Sequence, residues 1–200
     1  RPGMGKTGLA MQIAVNIAKG AAERPWCQAQ PSRAAVVVSV EMPGEQIARR
    51  TVAQMADVDA TRLARGNLSR QEWKAVTDAT VVCGEIPLVI DEAGTQTAAS
   101  IRSSVRRGLT KIRKRWGAIQ PGIIVVDYVQ IVTSDESSKR RNRENESSEI
   151  SGSLRSMAKE FNCPLLMLSQ LNRECEKRTD KRPQLSDLRD SGAVEQDSYG

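Results

Sequence analysis

The first seven residues, RPGMGKT, carry the strongest chemical signal in the sequence. They match the last seven positions of the pattern G-x-x-x-x-G-K-[ST], in which backbone N–H groups surround the phosphates of a nucleotide. Gly5 would allow close approach of the backbone, Lys6 would place its charge between the β- and γ-phosphates, and the Thr7 hydroxyl would bind Mg²⁺. We therefore predict a phosphate-binding loop whose contacts are Gly3, Met4, Gly5, Lys6, Thr7 and Gly8.

A second acidic position fits the same chemistry. Residues 123–127 read IIVVD, an apolar strand that ends in Asp127. In nucleotide-binding α/β proteins such an acid lies at the carboxyl end of a strand beside the phosphate loop and orients Mg²⁺ through water. The strand 88–91, which ends in Asp91 and is followed by Glu92, is a competing candidate. It ranks lower because it is shorter and precedes a strongly basic segment.

The elements that would position these residues alternate along the chain. Short apolar runs predict buried strands at 34–40, 87–91, 123–127 and 164–169. Apolar residues spaced three or four apart predict helices from the phosphate loop to about Ile17 and at 43–56, 59–64, 69–82, 97–116 and 149–161, with Ser69 and Glu72 forming a capping box. The alternation predicts an α/β fold with a mostly parallel sheet flanked by helices.

Composition narrows the functional class. Hydrophobic residues make up 39% and charged residues 27% of the 200 residues, which is typical of a globular protein. The net charge of +6 permits nucleic-acid binding, whereas 3% aromatic residues argue against a grip built on many stacked rings. The absence of histidine excludes histidine catalysis and histidine metal ligands. No apolar run approaches 18 residues, and four scattered cysteines are typical of reduced thiols, so we expect a cytoplasmic protein without a membrane span.

Two charged segments allow more than one interpretation. Residues 134–148 contain no apolar side chain and are predicted to be a loop, either mobile or disordered. The segment 97–116 carries seven basic residues beside its apolar stripe. We interpret it as a solvated or subunit-facing helix in preference to a DNA site.

Several further segments together resemble the replicative DNA helicases of the DnaB type. They are SVEMP at 39–43, DYVQ at 127–130, LSQLNR at 168–173, KRP at 181–183 and SDLRDSG at 186–192, in addition to the phosphate loop. The resemblance covers nearly the whole chain in the family's order. It implies that residues 1–200 form a single RecA-like P-loop NTPase domain, the C-terminal ATPase domain of such a helicase.

Catalytic roles follow from this resemblance. Glu41 is similar to the glutamate that activates the attacking water, and an acid at a strand end is well placed to act as a base. Gln170 is similar to the residue that senses the γ-phosphate, and Lys6 to the catalytic lysine. From the residues alone, Glu41 could instead be an exposed turn carboxylate or an acid at a helix start, and Gln170 a hydrogen-bonding residue at a strand end.

The resemblance also implies contacts to single-stranded DNA. Arg189, Asp190 and Gly192 match a central-channel loop that holds the DNA backbone, and Lys139, Arg140 and Arg141 lie in the segment that matches the other channel loop. Since phosphates carry no sequence information, binding would be independent of sequence and sensitive to salt.

The implied assembly is larger than the chain. We expect a fragment truncated at both ends, without the strand before the phosphate loop and without the C-terminal strands that would carry an arginine finger. The cofactors implied are ATP and Mg²⁺, and the partners are neighbouring subunits of a homohexamer and a primase or helicase loader. We predict that these 200 residues alone bind nucleotide weakly and hydrolyse it slowly, since such a finger contributes about 10³ to 10⁵ in rate.

Three alternatives share the phosphate loop. A RecA-like recombinase or repair ATPase would form filaments in place of rings. A structural or loader-type subunit would bind nucleotide without turnover, although the intact motif residues argue against it. A nucleotide kinase would need a lid and an acceptor site, which the segments around Asp127 and Arg189 do not indicate.

Overall fold

A computed structural model describes residues 5–20, 31–40, 42–92, 97–127 and 143–169, together with 178, 180, 182 and 184, and for 143–148 it describes the backbone alone. Within these residues the chain alternates between helices and strands. The elements are α1 Lys6–Lys19, β1 Ala34–Ser39, α2 Gly44–Met55, α3 Ala60–Ala64, α4 Arg70–Glu85, β2 Leu88–Glu92, α5 Ala98–Trp116, β3 Pro121–Asp127, α6 Arg143–Phe161 and β4 Leu165–Met167.

The four strands form one parallel sheet in the order β2-β1-β3-β4. The register pairs Ser39 at the end of β1 with Glu92 on one side and with Asp127 on the other. The carboxyl ends of three strands are therefore level, as expected when helices return the chain to the same edge. The predicted α/β fold with a mostly parallel sheet flanked by helices is confirmed.

Alternate residues of the central strands face two separate layers of core. Val36 and Val38 of β1 pack in a cluster with side chains of α5 and α6, whereas Ala35 and Val37 pack in a cluster with α1 and with Ile47 of α2. All six residues of β1 are buried, which explains why its sequence is apolar without alternation. The first core layer packs against α5, the basic helix, and the second packs against α1, the helix that follows the phosphate loop.

Close approach of α5 to the sheet depends on a glycine. A Cβ built on Gly108 would lie 2.9 Å from Cγ1 of Val36. The helix begins with a capping box between Thr97 and Ser100, in which each backbone N–H is bonded to the other side chain.

One predicted helix boundary, the start of α6, is wrong by six residues. Helix α6 begins at Arg143, so the prediction of a loop over 134–148 is wrong for its last six residues, while 134–142 lie outside the described residues. Ile150, Leu154 and Met157 bury one face of this helix. Once such a face is anchored, a helix extends through polar residues at little further cost, which an absence of apolar residues does not reveal.

The other boundaries differ by a few residues at each end. The predicted capping box of Ser69 and Glu72 is present, and α4 continues to Glu85, three residues past the predicted end. Strand β4 covers three residues, Leu165–Met167, within the predicted 164–169. Among the helices that the structure describes, none is long and apolar enough to cross a membrane.

Candidate active site

The candidate site begins where the chain enters α1. Gly5 has a φ of 82°, in the left-handed region that glycine adopts most readily, and its carbonyl accepts the first helical hydrogen bond from Leu9 N at 2.8 Å. Among the described residues, no side chain caps this helix. The N–H groups of its first turn, with the positive end of the helix dipole, are therefore available to an anion.

Thr7 and Asp127 are brought together at this point. The Thr7 hydroxyl donates a hydrogen bond to Oδ2 of Asp127 at 2.6 Å. Asp127 is 3% exposed at the end of β3, and its backbone carbonyl accepts a hydrogen bond from Val40 N at 2.8 Å. The two residues predicted to bind Mg²⁺ are thus direct neighbours, and β1 ends beside them.

Lys6 connects the start of α1 to the end of β4. Its Nζ donates to the backbone carbonyl of Ser169 at 3.4 Å. Leu168 N in turn donates to the carbonyl of Val126, which keeps the chain after β4 beside β3. The ammonium group therefore lies at the carboxyl end of β4, the strand that runs beside β3.

The remaining predicted site residues lie outside the described residues. They are Gly3, Met4, Glu41, Lys139, Arg140, Arg141, Gln170, Arg189, Asp190 and Gly192. For two of them the preceding residue is described: Val40 is bonded to Asp127, and Ser169 is bonded to Lys6. In the sequence, Glu41 and Gln170 follow these two residues directly.

The competing acids on β2 bind other protein groups. Asp91 accepts from Arg107 at 2.9 Å and lies 3.7 Å from Nζ of Lys111. Oε1 of Glu92 accepts a hydrogen bond from Gly44 N at 2.6 Å. Among the described strands β2 lies at the edge of the sheet, separated from β3 by β1, whereas Asp127 contacts Thr7 directly. The geometry therefore favours Asp127 over Asp91 as the acid that serves the phosphate loop.

The basic helix α5 makes ion pairs within the protein. Arg102 and Arg106 bind Glu160 of α6, at 3.2 and 2.6 Å. Arg107 and Lys111 bind Asp91, and Arg115 lies over the ring of Trp116 at 4.5 Å from its centroid. Several of its charges are already paired, which agrees with the interpretation of a solvated surface.

Arg50 is a candidate site residue that was not predicted from the sequence. Arg50 of α2 lines a small, partly open and mostly apolar cavity together with Thr7 and Gly8, and Nη1 of its guanidinium lies 3.8 Å from Sδ of Met42. Arg50 follows the fully buried Ile47 by three residues, so both lie on the same side of α2. That spacing is the signal that could have indicated Arg50, although only the packing of α2 against α1 brings it to the phosphate loop.

The comparison with protein families identifies the domain. A family model described as the DnaB-like helicase C-terminal domain matches residues 1–199. The chain belongs to this family. Three curated relatives are each named replicative DNA helicase DnaB. The relative from Haemophilus influenzae is 40% identical over 200 residues, that from Synechocystis 38% over 198 and that from Rickettsia typhi 36% over 198.

Two solved structures agree with this assignment. One, described as an ATPase domain, has a TM-score of 0.80 at 30% identity, covering 99% of this chain and 64% of that one. The other, described as a DnaB-like replicative helicase and its interactions with primase, has a TM-score of 0.81 at 30% identity, covering 99% and 43%. The likeness confirms the expected RecA-like helicase ATPase fold.

This DnaB-like domain spans only part of its relatives. The chain is covered to 99% in each of the three comparisons above, but it accounts for 39%, 20% and 38% of the lengths of the Haemophilus, Synechocystis and Rickettsia proteins. Family membership implies nucleotide use and favours a helicase motor over the recombinase and kinase alternatives.

The described residues of the DnaB-like domain fit a nucleotide bound with Mg²⁺. The uncapped start of α1 and Lys6 offer donors to phosphate oxygens, and the Thr7 hydroxyl and the Asp127 carboxylate offer oxygen ligands. Mg²⁺ is usually held in nucleotide sites by one or two such protein ligands, with phosphates and water completing its coordination.

Proposed function

We propose that this DnaB-like domain is the motor of a replicative DNA helicase, which hydrolyses ATP to move along single-stranded DNA and separate the duplex. The observation that carries the proposal is the 2.6 Å hydrogen bond between Thr7 and Asp127, which joins the phosphate loop to the acid of β3. The family assignment over residues 1–199 supports the same conclusion. We further propose that residues 1–200 belong to one RecA-like domain.

The phosphates of ATP would be bound by the residues that begin α1. Backbone N–H groups of Gly3 to Gly8 would surround the β-phosphate, aided by the positive end of the helix dipole. Lys6, which reaches the end of β4 at Ser169, would neutralise charge between the β- and γ-phosphates. Arg50 would add a second positive charge near the phosphate loop, since its side chain lines the cavity beside Thr7 and Gly8 and its guanidinium lies at Met42, just before α2. Fixed charges of this kind stabilise the charge that develops on the transferred phosphoryl group.

Thr7 and Asp127 would hold Mg²⁺ between them and the phosphates. The hydroxyl and the buried carboxylate are hard oxygen ligands, and their hydrogen bond brings the two groups together. The bound ion would neutralise negative charge on the phosphate oxygens.

Hydrolysis would use the two residues that follow the ends of β1 and β4. Glu41 would accept a proton from water as the water oxygen attacks the γ-phosphorus, and the bond to the β-phosphate oxygen would break to give ADP and phosphate. Support comes from Val40, the residue before Glu41, whose N–H is bonded to the carbonyl of Asp127. Gln170 would contact the γ-phosphate, supported by the contact of Ser169 with Lys6.

DNA would be bound by residues outside the described part of the chain. Arg189, Asp190 and Gly192 would hold the phosphate backbone of single-stranded DNA, together with Lys139, Arg140 and Arg141. Contacts of this type release counterions, so affinity should fall steeply with salt and depend little on sequence.

The working assembly would be a homohexamer in which a neighbouring subunit completes each ATP site. A primase or a helicase loader would be a further partner, in line with the similar DnaB-like helicase structure that is described with its interactions with primase. We propose a cytoplasmic location, with which the free thiols of Cys83 and Cys163 agree.

The test is ATP hydrolysis by the full-length, assembled protein with and without single-stranded DNA, beside its Glu41→Gln variant. Glu45→Gln is the matched control, since Glu45 lies four residues away and pairs with Arg49 at the surface. We expect stimulation by DNA, a loss of about 10² to 10⁴ in rate for Glu41→Gln, and an unaffected control. Nucleotide binding without hydrolysis in the unaltered protein would instead favour a structural subunit.

A further inference from the structure

The N-terminus of α2 is held by a carboxylate from the edge of the sheet. Gly44 is the first residue of α2, and its N–H donates to Oε1 of Glu92 at 2.6 Å. A Cβ built on Gly44 would lie 3.0 Å from that oxygen, so glycine allows this close approach. A carboxylate is also the favoured partner for the positive end of a helix dipole.

The chain between β1 and α2 is fixed at two further points. The hydroxyl of Ser39 donates to the carbonyl of Met42 at 2.6 Å and accepts from Met42 N at 3.2 Å, which ties the end of β1 to the residue before Pro43. Val40 N is bonded to the carbonyl of Asp127. The start of α2 is therefore tied to β1, β2 and β3 at the edge where the candidate site lies.

Helix α2 in turn carries Arg50 to the phosphate loop. Ile47 and Thr51 are buried, at 0% and 3% exposure, so the helix has little freedom to rotate about its axis. Arg50, between them in sequence, lines the cavity that includes Thr7 and Gly8. Its guanidinium lies 3.8 Å from Sδ of Met42, just before α2, so movement of the helix along its axis would shift this charge relative to Thr7 and Gly8. The bond at Gly44 opposes such movement.

We infer that Glu92 is a positioning residue for the ATPase reaction, which holds α2 so that Arg50 stays beside Thr7 and Gly8. The inference rests on the proposed function, because it assumes that Arg50 acts on bound nucleotide. Glu92 itself does not touch the candidate site. It would affect the reaction through the position of α2, which carries Arg50.

The first test needs no nucleotide. Amide hydrogen exchange at Gly44 is measured in the nucleotide-free protein and in its Glu92→Ala, Glu92→Gln and Glu45→Gln variants. We expect exchange at Gly44 to accelerate by about tenfold or more in Glu92→Ala and to change little in Glu92→Gln, because an amide oxygen also accepts a hydrogen bond. Unchanged exchange in Glu92→Ala would overturn the inference at its first step.

The second test measures kcat and KM for ATP with single-stranded DNA present. We expect Glu92→Ala to lower kcat by about tenfold, since small displacements of a positioned group reduce rates strongly, and Glu92→Gln to retain most of the rate. Glu45→Gln controls for removal of a carboxylate from the first turn of α2. A kcat for Glu92→Ala equal to that of the unaltered protein would contradict the inference.

A double-variant cycle separates positioning from a general structural effect. If Glu92 acts through Arg50, then adding Glu92→Ala to Arg50→Ala should cause no further loss of kcat. Losses that multiply would mean that Glu92 acts elsewhere and would overturn the inference. The proposed function fails separately, by absence of ATP hydrolysis in the unaltered protein. The role of Arg50 fails if Arg50→Ala alone has no effect.

Discussion

Thr7 and Asp127 are separated by 120 positions in the sequence, yet the Thr7 hydroxyl donates a hydrogen bond to Oδ2 of Asp127 at 2.6 Å. Thr7 lies in the first turn of α1, and Asp127 is buried at the end of the central strand β3. The bond therefore joins the helix that would bind phosphate to the strand that would supply an Mg²⁺ ligand. It also links two layers of the fold at the candidate site.

Replacement of Asp127 tests the Mg²⁺ assignment. We expect Asp127→Asn to lower ATP hydrolysis by about 10² to 10³, because the site loses a fixed negative charge that would hold the ion, and to weaken the Mg²⁺ dependence of nucleotide binding. Steady-state hydrolysis over a series of Mg²⁺ concentrations measures both effects. Asp91→Asn is the control, since Asp91 also lies near the carboxyl end of a parallel strand but is paired with Arg107 and Lys111. A greater loss in the control than in Asp127→Asn would mean that the acids are assigned in the wrong order.

Arg50 and Arg49 form a matched pair on α2. Arg50 lines the cavity beside Thr7, whereas Arg49 pairs with Glu45 on the exposed side of the helix. We expect Arg50→Ala to lower kcat for ATP by about 10 to 10², because a charge near the phosphates is removed, and Arg49→Ala to leave it within about twofold. Steady-state kinetics of both variants provide the measurement. Equal effects would exclude a specific role for Arg50.

Replacement by alanine should change the free energy of unfolding in opposite directions at two helical glycines. At Gly108 a Cβ would lie 2.9 Å from Val36, and at Gly84 it would meet no atom within 4 Å. We expect Gly108→Ala to lower the free energy of unfolding by about 1 kcal/mol, since overpacking outweighs the gain in helix propensity. Gly84→Ala should raise it by about 0.5 kcal/mol. Urea denaturation followed by circular dichroism compares the two, and stabilisation by Gly108→Ala would show that α5 can move away from the sheet.

The capping box of α4 predicts a dependence of stability on pH. Hydrogen bonds from the Ser69 backbone, then from the Arg62 and Ser69 side chains, lower the pKa of Glu72 from 4.5 to about 2. Because the pKa is lower in the folded state, the stabilisation is complete above about pH 4.5 and is lost as the pH falls towards 2.

The variant Glu72→Gln tests this assignment. It should lose less stability between pH 4.5 and 2 than the unaltered protein, as thermal unfolding at several pH values would measure. Asp78→Asn, an exposed change on the same helix, controls for loss of one charge. An identical pH profile for Glu72→Gln and the unaltered protein would contradict the assignment.

Local sequence patterns were sufficient to predict three features of this protein. The phosphate loop, the Asp127 strand and the Ser69 capping box each depend on residues within about one turn or one strand of each other, so their chemistry can be predicted without tertiary information. The start of α6 could not be predicted in this way. Polar residues from Arg143 onward are helical in a segment whose apolar contacts begin only at Ile150.

Only the tertiary structure decided which distant groups meet. The strand order β2-β1-β3-β4 places Asp127 beside Thr7 and leaves Asp91 paired with the basic helix, and it brings Glu92 to the first amide of α2. The packing of α2 against α1 brings Arg50 to the phosphate loop. The physical reason is that hydrophobic periodicity specifies which face of an element is buried, whereas the choice of neighbour depends on how all the buried faces pack at once.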